Sequence, residues 1–189
     1  MELHCSVLMK VTPLALPEVK LIDLDVFEDD RGAFTVHWHD EKLSDAVDGH
    51  HFRQDSYVMS KKHVVRGMHY QLPPYEQGKL VRCMSGVIQD VVVDIRKSSP
   101  RFGQWVDVLL YSQDHQALWV PPGFAHGYAT LEPNTAVFYK CTDLHAPSAE
   151  RSILWNDKDL DIDWEVTKKA IVSAKDSKGI PFKEAEVFE

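Results

Sequence analysis

Positive charge, cysteine and long apolar runs are all scarce in this 189-residue sequence. Lys and Arg number 21 against 29 Asp and Glu, a formal net charge of −8. That balance argues against a nucleic-acid surface, since neutralising phosphates takes an excess of cations. Three cysteines, Cys5, Cys83 and Cys141, are odd in number and widely spaced. They predict reduced thiols in a cytoplasmic protein, neither a disulfide framework nor a Cys-x-x-Cys zinc site. No run approaches the roughly eighteen apolar residues of a membrane span. The opening segment MELHCSVLMKVTPLALPEVKL is interrupted by Lys10, Pro13 and Pro17 and shows no cleavage site after a clean apolar core, so it does not read as a signal peptide. Internal repeats, low-complexity tracts and linkers are absent too, which favours one domain over residues 1–189.

Enough apolar residues remain, at 44% hydrophobic and 10% aromatic, to build a core without metals or disulfides. From Val64 to Cys141 the chain reads as short strands punctuated by turn residues. KLVRCM and VIQDVVVDIR flank Ser85-Gly86, a hairpin signal. In the second segment Val87, Gln89, Val91, Val93 and Ile95 alternate with Ile88, Asp90, Val92, Asp94 and Arg96. WVDVLLYS, ALWV, HGYATL and TAVFYKCT continue the spacing of an all-β sandwich, jelly roll or barrel. Helix signals are peripheral: one or two turns from Asp40 to Ser44, and a short helix or irregular piece in TKKAIVSAKDSKG. Small all-β domains of this kind often dimerise through edge strands.

Chemistry concentrates in VVRGMHYQLPPYEQGKL, which sets Arg66, His69 and Lys79 among small and apolar neighbours. As a strand, Val64 to Gln71 places Val65, Gly67, His69 and Gln71 on one face, and Gly67 leaves a gap beside the imidazole. Alone, His69 could equally be a half-buried histidine satisfied by a backbone carbonyl. His126 adds weight: PPGFAHG has the form Pro-x-Gly-x-x-His and aims His126 with Tyr128 and Thr130. It resembles the second motif of the cupin superfamily, whose small jelly-roll barrels hold a site in their mouth. The first motif of metal-binding cupins, His-x-His followed by Glu, falls here on His69-Tyr70-Gln71 and Glu76. One of the two histidines is missing, so imidazole is expected to serve as a base, with no metal.

Seven segments in order, DDRGAF, RQDSYVMSKKHVVRGMHYQ, QGKLVRCMSG, DVVVDIRKSSPRFGQWV, LWVPPGFAHGYATL, YKCTD and ILWNDKDLDIDW, sharpen the likeness. Over nearly the whole chain, from about Leu21 to the closing KEAEVFE, the sequence resembles the dTDP-4-dehydrorhamnose 3,5-epimerases, metal-free cupins of deoxysugar biosynthesis. The resemblance implies a jelly-roll barrel with an N-terminal strand arm, no cofactor, and conversion of dTDP-4-dehydro-6-deoxy-D-glucose to dTDP-4-dehydro-L-rhamnose. It implies His69 as base, Asp176 in SAKD as its carboxylate partner, Lys79 as the cation holding the enolate, and Tyr139 in VFYKC as proton donor. Substrate contacts are implied at Arg31, Phe34, Gln54, Ser56, Arg66, His126 and His145. It further implies a homodimer whose N-terminal parts cross into the partner's site. On residue type alone Asp176 would be a solvated acid, Tyr139 a core aromatic, and Arg31 a turn residue capping Asp30.

Departures from the family pattern fall at the rim. Val36 stands where an acidic contact is frequent; Ser56, Tyr57 and Val58 replace polar site residues; Leu144 and His145 replace a tyrosine pair. A single-centre epimerase, or one acting on a GDP- or CDP-linked hexose or heptose, is therefore the alternative within the family. Outside it stand a metal-dependent cupin oxygenase and a non-catalytic sugar-nucleotide binding module.

Overall fold

Alternation of residue type, rather than helical period, sets the backbone of the computed structural model, which describes residues 9–189. Strands β1 (Lys10–Pro13), β2 (Lys20–Asp23), β3 (Val26–Asp29) and β4 (Gly32–Thr35) form the N-terminal arm. The barrel strands are β5 (Gln54–Ser60), β6 (Val64–Gln71), β7 (Lys79–Ser85), β8 (Val87–Asp94), β9 (Trp105–Tyr111), β10 (Gln116–Val120), β11 (Phe124–Thr130) and β12 (Thr135–Cys141). Two short strands, β13 (Glu150–Ser152) and β14 (Ile171–Val172), belong to the C-terminal segment. One sheet runs β1-β2-β10-β7-β12-β5; the other runs β13-β6-β11-β8-β9, with β14 parallel to β6. Together they make the expected cupin-like jelly roll, while β3 and β4 form a separate two-stranded hairpin.

The alternation in β8 explains the layering. Val91 and Val93, with Ile95, pack outward beneath Leu160, Ile162, Trp164 and Val166 of the C-terminal segment. Ile88 and Val92 pack inward with Val81, Leu118 and Val137 of the opposite sheet. Both faces are apolar because both are covered, and full burial of each such side chain stabilises by roughly 1.5–3 kcal/mol. A third layer forms where helix α1 (Asp40–Leu43) and the 3₁₀ turn Ser44–Val47 press Leu43, Ala46 and Val47 onto Leu80 and Trp119. The Trp119 indole there donates to Asp48 Oδ2 at 3.0 Å. No helix among the described residues is long and apolar enough to cross a membrane. Cys83 and Cys141 are buried free thiols, and Cys5 lies outside the described residues.

Two local expectations need correction. Ser85-Gly86 does not close a hairpin: β7 and β8 lie in different sheets, so this pair turns the chain from one sheet to the other. Gly86 at φ +79° still supplies the left-handed corner, which is why the sequence signal looked like a hairpin turn. Nor do Val65, Gly67, His69 and Gln71 share one face. Opposite β11 the register steps from His126↔His69 to Tyr128↔Arg66, so three residue steps on β6 face two on β11. This bulge turns Arg66 and His69 to the same side and sends Val65 and Met68 into the outer core. Gly67 serves the crossing itself: a Cβ there would stand 2.5 Å from Gly127 Cα.

The C-terminal segment returns over the β6 sheet and brings Asp176 with it. Trp105 Nε1 donates to Leu160 O at 2.9 Å, and Tyr70 Oη donates to Glu186 O at 2.5 Å. β14 pairs with the start of β6, and the 3₁₀ turn Asp176–Lys178 follows four residues later.

Candidate active site

A cavity of about 380 Å³ opens between the two sheets. Arg66, His69, His126 and Tyr128 line it from the β6 and β11 wall; Gln54, Val58, Lys79 and Tyr139 line it from the β5, β7 and β12 wall. His145 and Glu150 stand at its rim. Arg66 and Lys79 bring two cationic side chains into this interior, in a chain whose net charge is −8.

His69 Nε2 donates to Asp176 Oδ1 at 2.6 Å, which leaves Nδ1 to carry the lone pair a base needs. The His69 side chain is 27% exposed and that of Asp176 only 5%. Burial pushes the Asp176 carboxyl up, but the His69 hydrogen bond and charge, the Ser173 hydroxyl and the Gly67 N–H together hold it below the usual range. The carboxylate therefore stays ionised beside the ring, with Asp176 N anchored on Ser173 Oγ at 3.0 Å.

A second imidazole–carboxylate pair lies deeper. His126 Nε2 donates to Asp90 Oδ1 at 2.7 Å with both side chains almost wholly buried. Asp90 Oδ2 has no partner among the described residues. Asp90 was missed in the sequence, although one signal pointed to it: a carboxylate set between Ile88 and Val92, both of which pack into the inner core.

Lys79 extends from the start of β7 into the cavity, and among the described residues its ammonium has no hydrogen-bond or ion-pair partner. Burial is the largest influence on it and lowers its pKa, while Cys141, Asp90 and Glu150 pull the other way. On the neighbouring strand Tyr139 is raised, by burial first and by Cys141, against smaller opposing effects of Ser56 and Arg66. Its phenol is a protonated donor at neutral pH. Arg66 Nε donates to Ser60 Oγ at 3.2 Å, and Gln54 Nε2 donates to Ser56 Oγ at 3.2 Å.

The structure thus gathers His69, Asp176, Lys79, Tyr139, Gln54, Ser56, Arg66, His126 and His145 around one cavity. Arg31 and Phe34 are elsewhere: they sit on the β3–β4 hairpin, and the Arg31 side chain is 89% exposed and paired with Asp29, not Asp30. Of the replaced rim residues, Val58 lines the cavity, whereas Tyr57 points out of the sheet and is 61% exposed. Glu76 lines a separate groove with His50 and Arg53, away from His69. Among the described residues no three His, Cys, Asp or Glu side chains converge as a metal-binding group.

Known proteins resemble this chain over most of its length. Residues 13–184 match the family dTDP-4-dehydrorhamnose 3,5-epimerase. An enzyme of that name from Shigella flexneri is 43% identical over 181 residues, covering 95% of this chain and 99% of its own. The Pseudomonas aeruginosa enzyme is likewise 43% identical, over 182 residues, with 95% and 99% covered. Among solved structures, a dTDP-6-deoxy-D-glucose-3,5-epimerase from Legionella pneumophila in complex with dTDP-4-keto-L-rhamnose superposes with a TM-score of 0.91. It is 36% identical, and 95% of each chain is covered.

Proposed function

The chain belongs to the dTDP-4-dehydrorhamnose 3,5-epimerase family, isomerases of deoxysugar biosynthesis, and from that premise we propose that the cavity takes a dTDP-linked 4-keto-6-deoxyhexose and inverts C3 and C5. The observation that carries this reading is the placement of the base on one wall and the proton donor on the other. Inversion at carbon requires a proton to leave one face and return to the opposite one.

In the proposed cycle His69 removes the proton beside the C4 ketone, and the electron pair of the C–H bond moves into the carbonyl to give an enolate. Lys79 holds the negative charge on O4, where an unpartnered ammonium in a poorly solvated site has its largest effect. Tyr139 returns a proton to the far face of the carbon. Solvent then takes the proton from the imidazolium and reprotonates the phenolate, so no redox partner is consumed. Asp176 acts as a positioning residue, fixing the ring and stabilising the imidazolium. Arg66, Gln54, Ser56, His126 and His145 supply substrate contacts. Arg66 suits the diphosphate, where a guanidinium can bind two oxygens at once.

Proton NMR of dTDP-4-keto-6-deoxyglucose incubated with the protein in deuterated water tests the reading, with C3 and C5 followed separately. Loss of both proton signals is expected. Loss at one centre replaces it with a mono-epimerase, and loss at neither removes this sugar as the substrate.

A homodimer accounts for the two features that one chain leaves open. Arg31 and Phe34 lie off their own chain's cavity, and β5 ends its sheet with Tyr57 and Met59 each 61% exposed on the outer face. Pairing that covers β5 and carries each hairpin to its partner's cavity, in a cytoplasm where Cys83 and Cys141 stay reduced, explains both. Sedimentation equilibrium should give twice the mass of the chain; a monomer at micromolar concentration would reject the shared site.

A further inference from the structure

A chain of hydrogen bonds in the β5 wall runs from the cavity rim to Tyr139. His145 N donates to Gln54 Oε1 at 3.0 Å, and Gln54 Nε2 donates to Ser56 Oγ at 3.2 Å. A backbone N–H can only donate, so the atom facing His145 is the amide oxygen and the atom facing Ser56 is the amide nitrogen. Ser56 is therefore the acceptor at that end, and its hydroxyl hydrogen is left for another partner.

That partner is the Tyr139 phenol. Ser56 and Tyr139 stand directly opposite each other where β5 pairs with β12, a placement that brings side chains on one face to about 4.5–5.5 Å between Cβ atoms. They share the face: Gln54 and Val58, two positions to either side of Ser56, line the cavity, as does Tyr139 itself. The two side chains are hydrogen-bonded; burial first, then Cys141, disfavour the ionised phenol, and the bond to Ser56 favours it.

This geometry bears on the inversion step. As the enolate's electron pair forms the new C–H bond, the O–H bond of Tyr139 breaks and negative charge appears on an oxygen that burial makes costly to charge. A donor already aimed at that oxygen lowers the cost when it arises. Gln54, by filling the acceptor side of Ser56, keeps the serine hydrogen directed to the phenol and polarises it.

We propose that Ser56, held by Gln54, is a positioning residue for inversion: it leaves the Tyr139 proton to the cavity and stabilises the phenolate formed when that proton is delivered. This role rests on the proton-transfer cycle above and deepens it. It acts through Tyr139 and is separate from any contact of Ser56 with the substrate.

The test is the ratio of inversion to deuterium incorporation, both read by NMR from one incubation of dTDP-4-keto-6-deoxyglucose in deuterated water. Affinity cancels from this ratio, so a serine that only contacted substrate would slow both processes alike. Ser56→Ala should lower the ratio about ten- to thirtyfold, the lower end for a hydrogen bond to a charged group, because Ser56 is only partly buried. Deuterium incorporation itself should change little, since His69 and Lys79 are untouched. Ser56→Thr, which keeps the hydroxyl, should restore most of the ratio. In a Tyr139→Phe background Ser56→Ala should have no further effect, the group it acts through being gone. Thermal melts should show these variants folded, because β5 ends its sheet and the change is one small side chain. An unchanged ratio in folded Ser56→Ala, or a further fall in the Tyr139→Phe background, overturns the proposal and leaves the epimerase reading standing. Absence of exchange with folded wild type overturns both.

Discussion

Replacing His69 by alanine is expected to slow both solvent exchange and inversion by about 10²–10⁴-fold, the range for loss of a general base. The variant should fold. His69 lines a cavity and is partly exposed, so truncation enlarges an already open space and creates no new void in the core. Asp176 loses one partner but keeps the Ser173 hydroxyl and the Gly67 N–H, which limits the cost of leaving a buried carboxylate behind. The readout is the rate of deuterium entry at C3 and C5 by NMR, alongside a thermal melt to show that the fold survives. Added imidazole should restore part of the rate if the missing group is a base. A folded variant with near-normal exchange would remove His69 from the chemistry and direct attention to the His126–Asp90 pair, the buried imidazole–carboxylate couple of the cavity.

That second pair shows where sequence and structure part company. Strands were legible because alternation is a local property: the two faces of β8 could be assigned from residue type, and each found its own core. Ser85-Gly86 was legible as a turn but not as a corner between sheets. A left-handed glycine satisfies both, and pairing partners are chosen by contacts distant in sequence. The β6 bulge was invisible for the same reason. It exists because Gly67 passes against Gly127, sixty residues away, and it alone allows Arg66 and His69 to face one cavity. Asp176 was reached only by resemblance, since nothing local distinguishes an acid in a polar tail from one that the tail's return will bury. Tyr57 was misplaced by treating three consecutive positions as site residues when a strand can offer only alternate ones. Arg31 and Phe34 belong to no part of one chain's cavity, and that placement is what the proposed shared-site dimer was put forward to answer.

Tyr139→Phe should separate two events that the wild-type enzyme performs together. The substitution removes one hydroxyl and keeps the ring, so the apolar packing of Tyr139 on β12 against the inner core is retained. Ser56 loses a partner, at a cost of about 1 kcal/mol. Because burial holds the phenol protonated, the hydroxyl it loses is a proton source on the wall opposite His69. Inversion is therefore expected to fall by about 10²–10⁴-fold. Exchange should fall much less: His69 still removes the proton, Lys79 still holds the enolate, and the imidazolium, having traded its proton for solvent deuterium, returns it to the face it came from. The predicted product is substrate labelled with deuterium but unchanged in configuration, visible by NMR as loss of the C–H signal without growth of the epimer. Parallel loss of exchange and inversion would mean that Tyr139 supports deprotonation instead, for instance by polarising the ketone. Full retention of inversion would mean that the returning proton comes from another group on that wall or from water, and Lys79 and the Cys141 thiol, which line the same wall, would be the next residues to test.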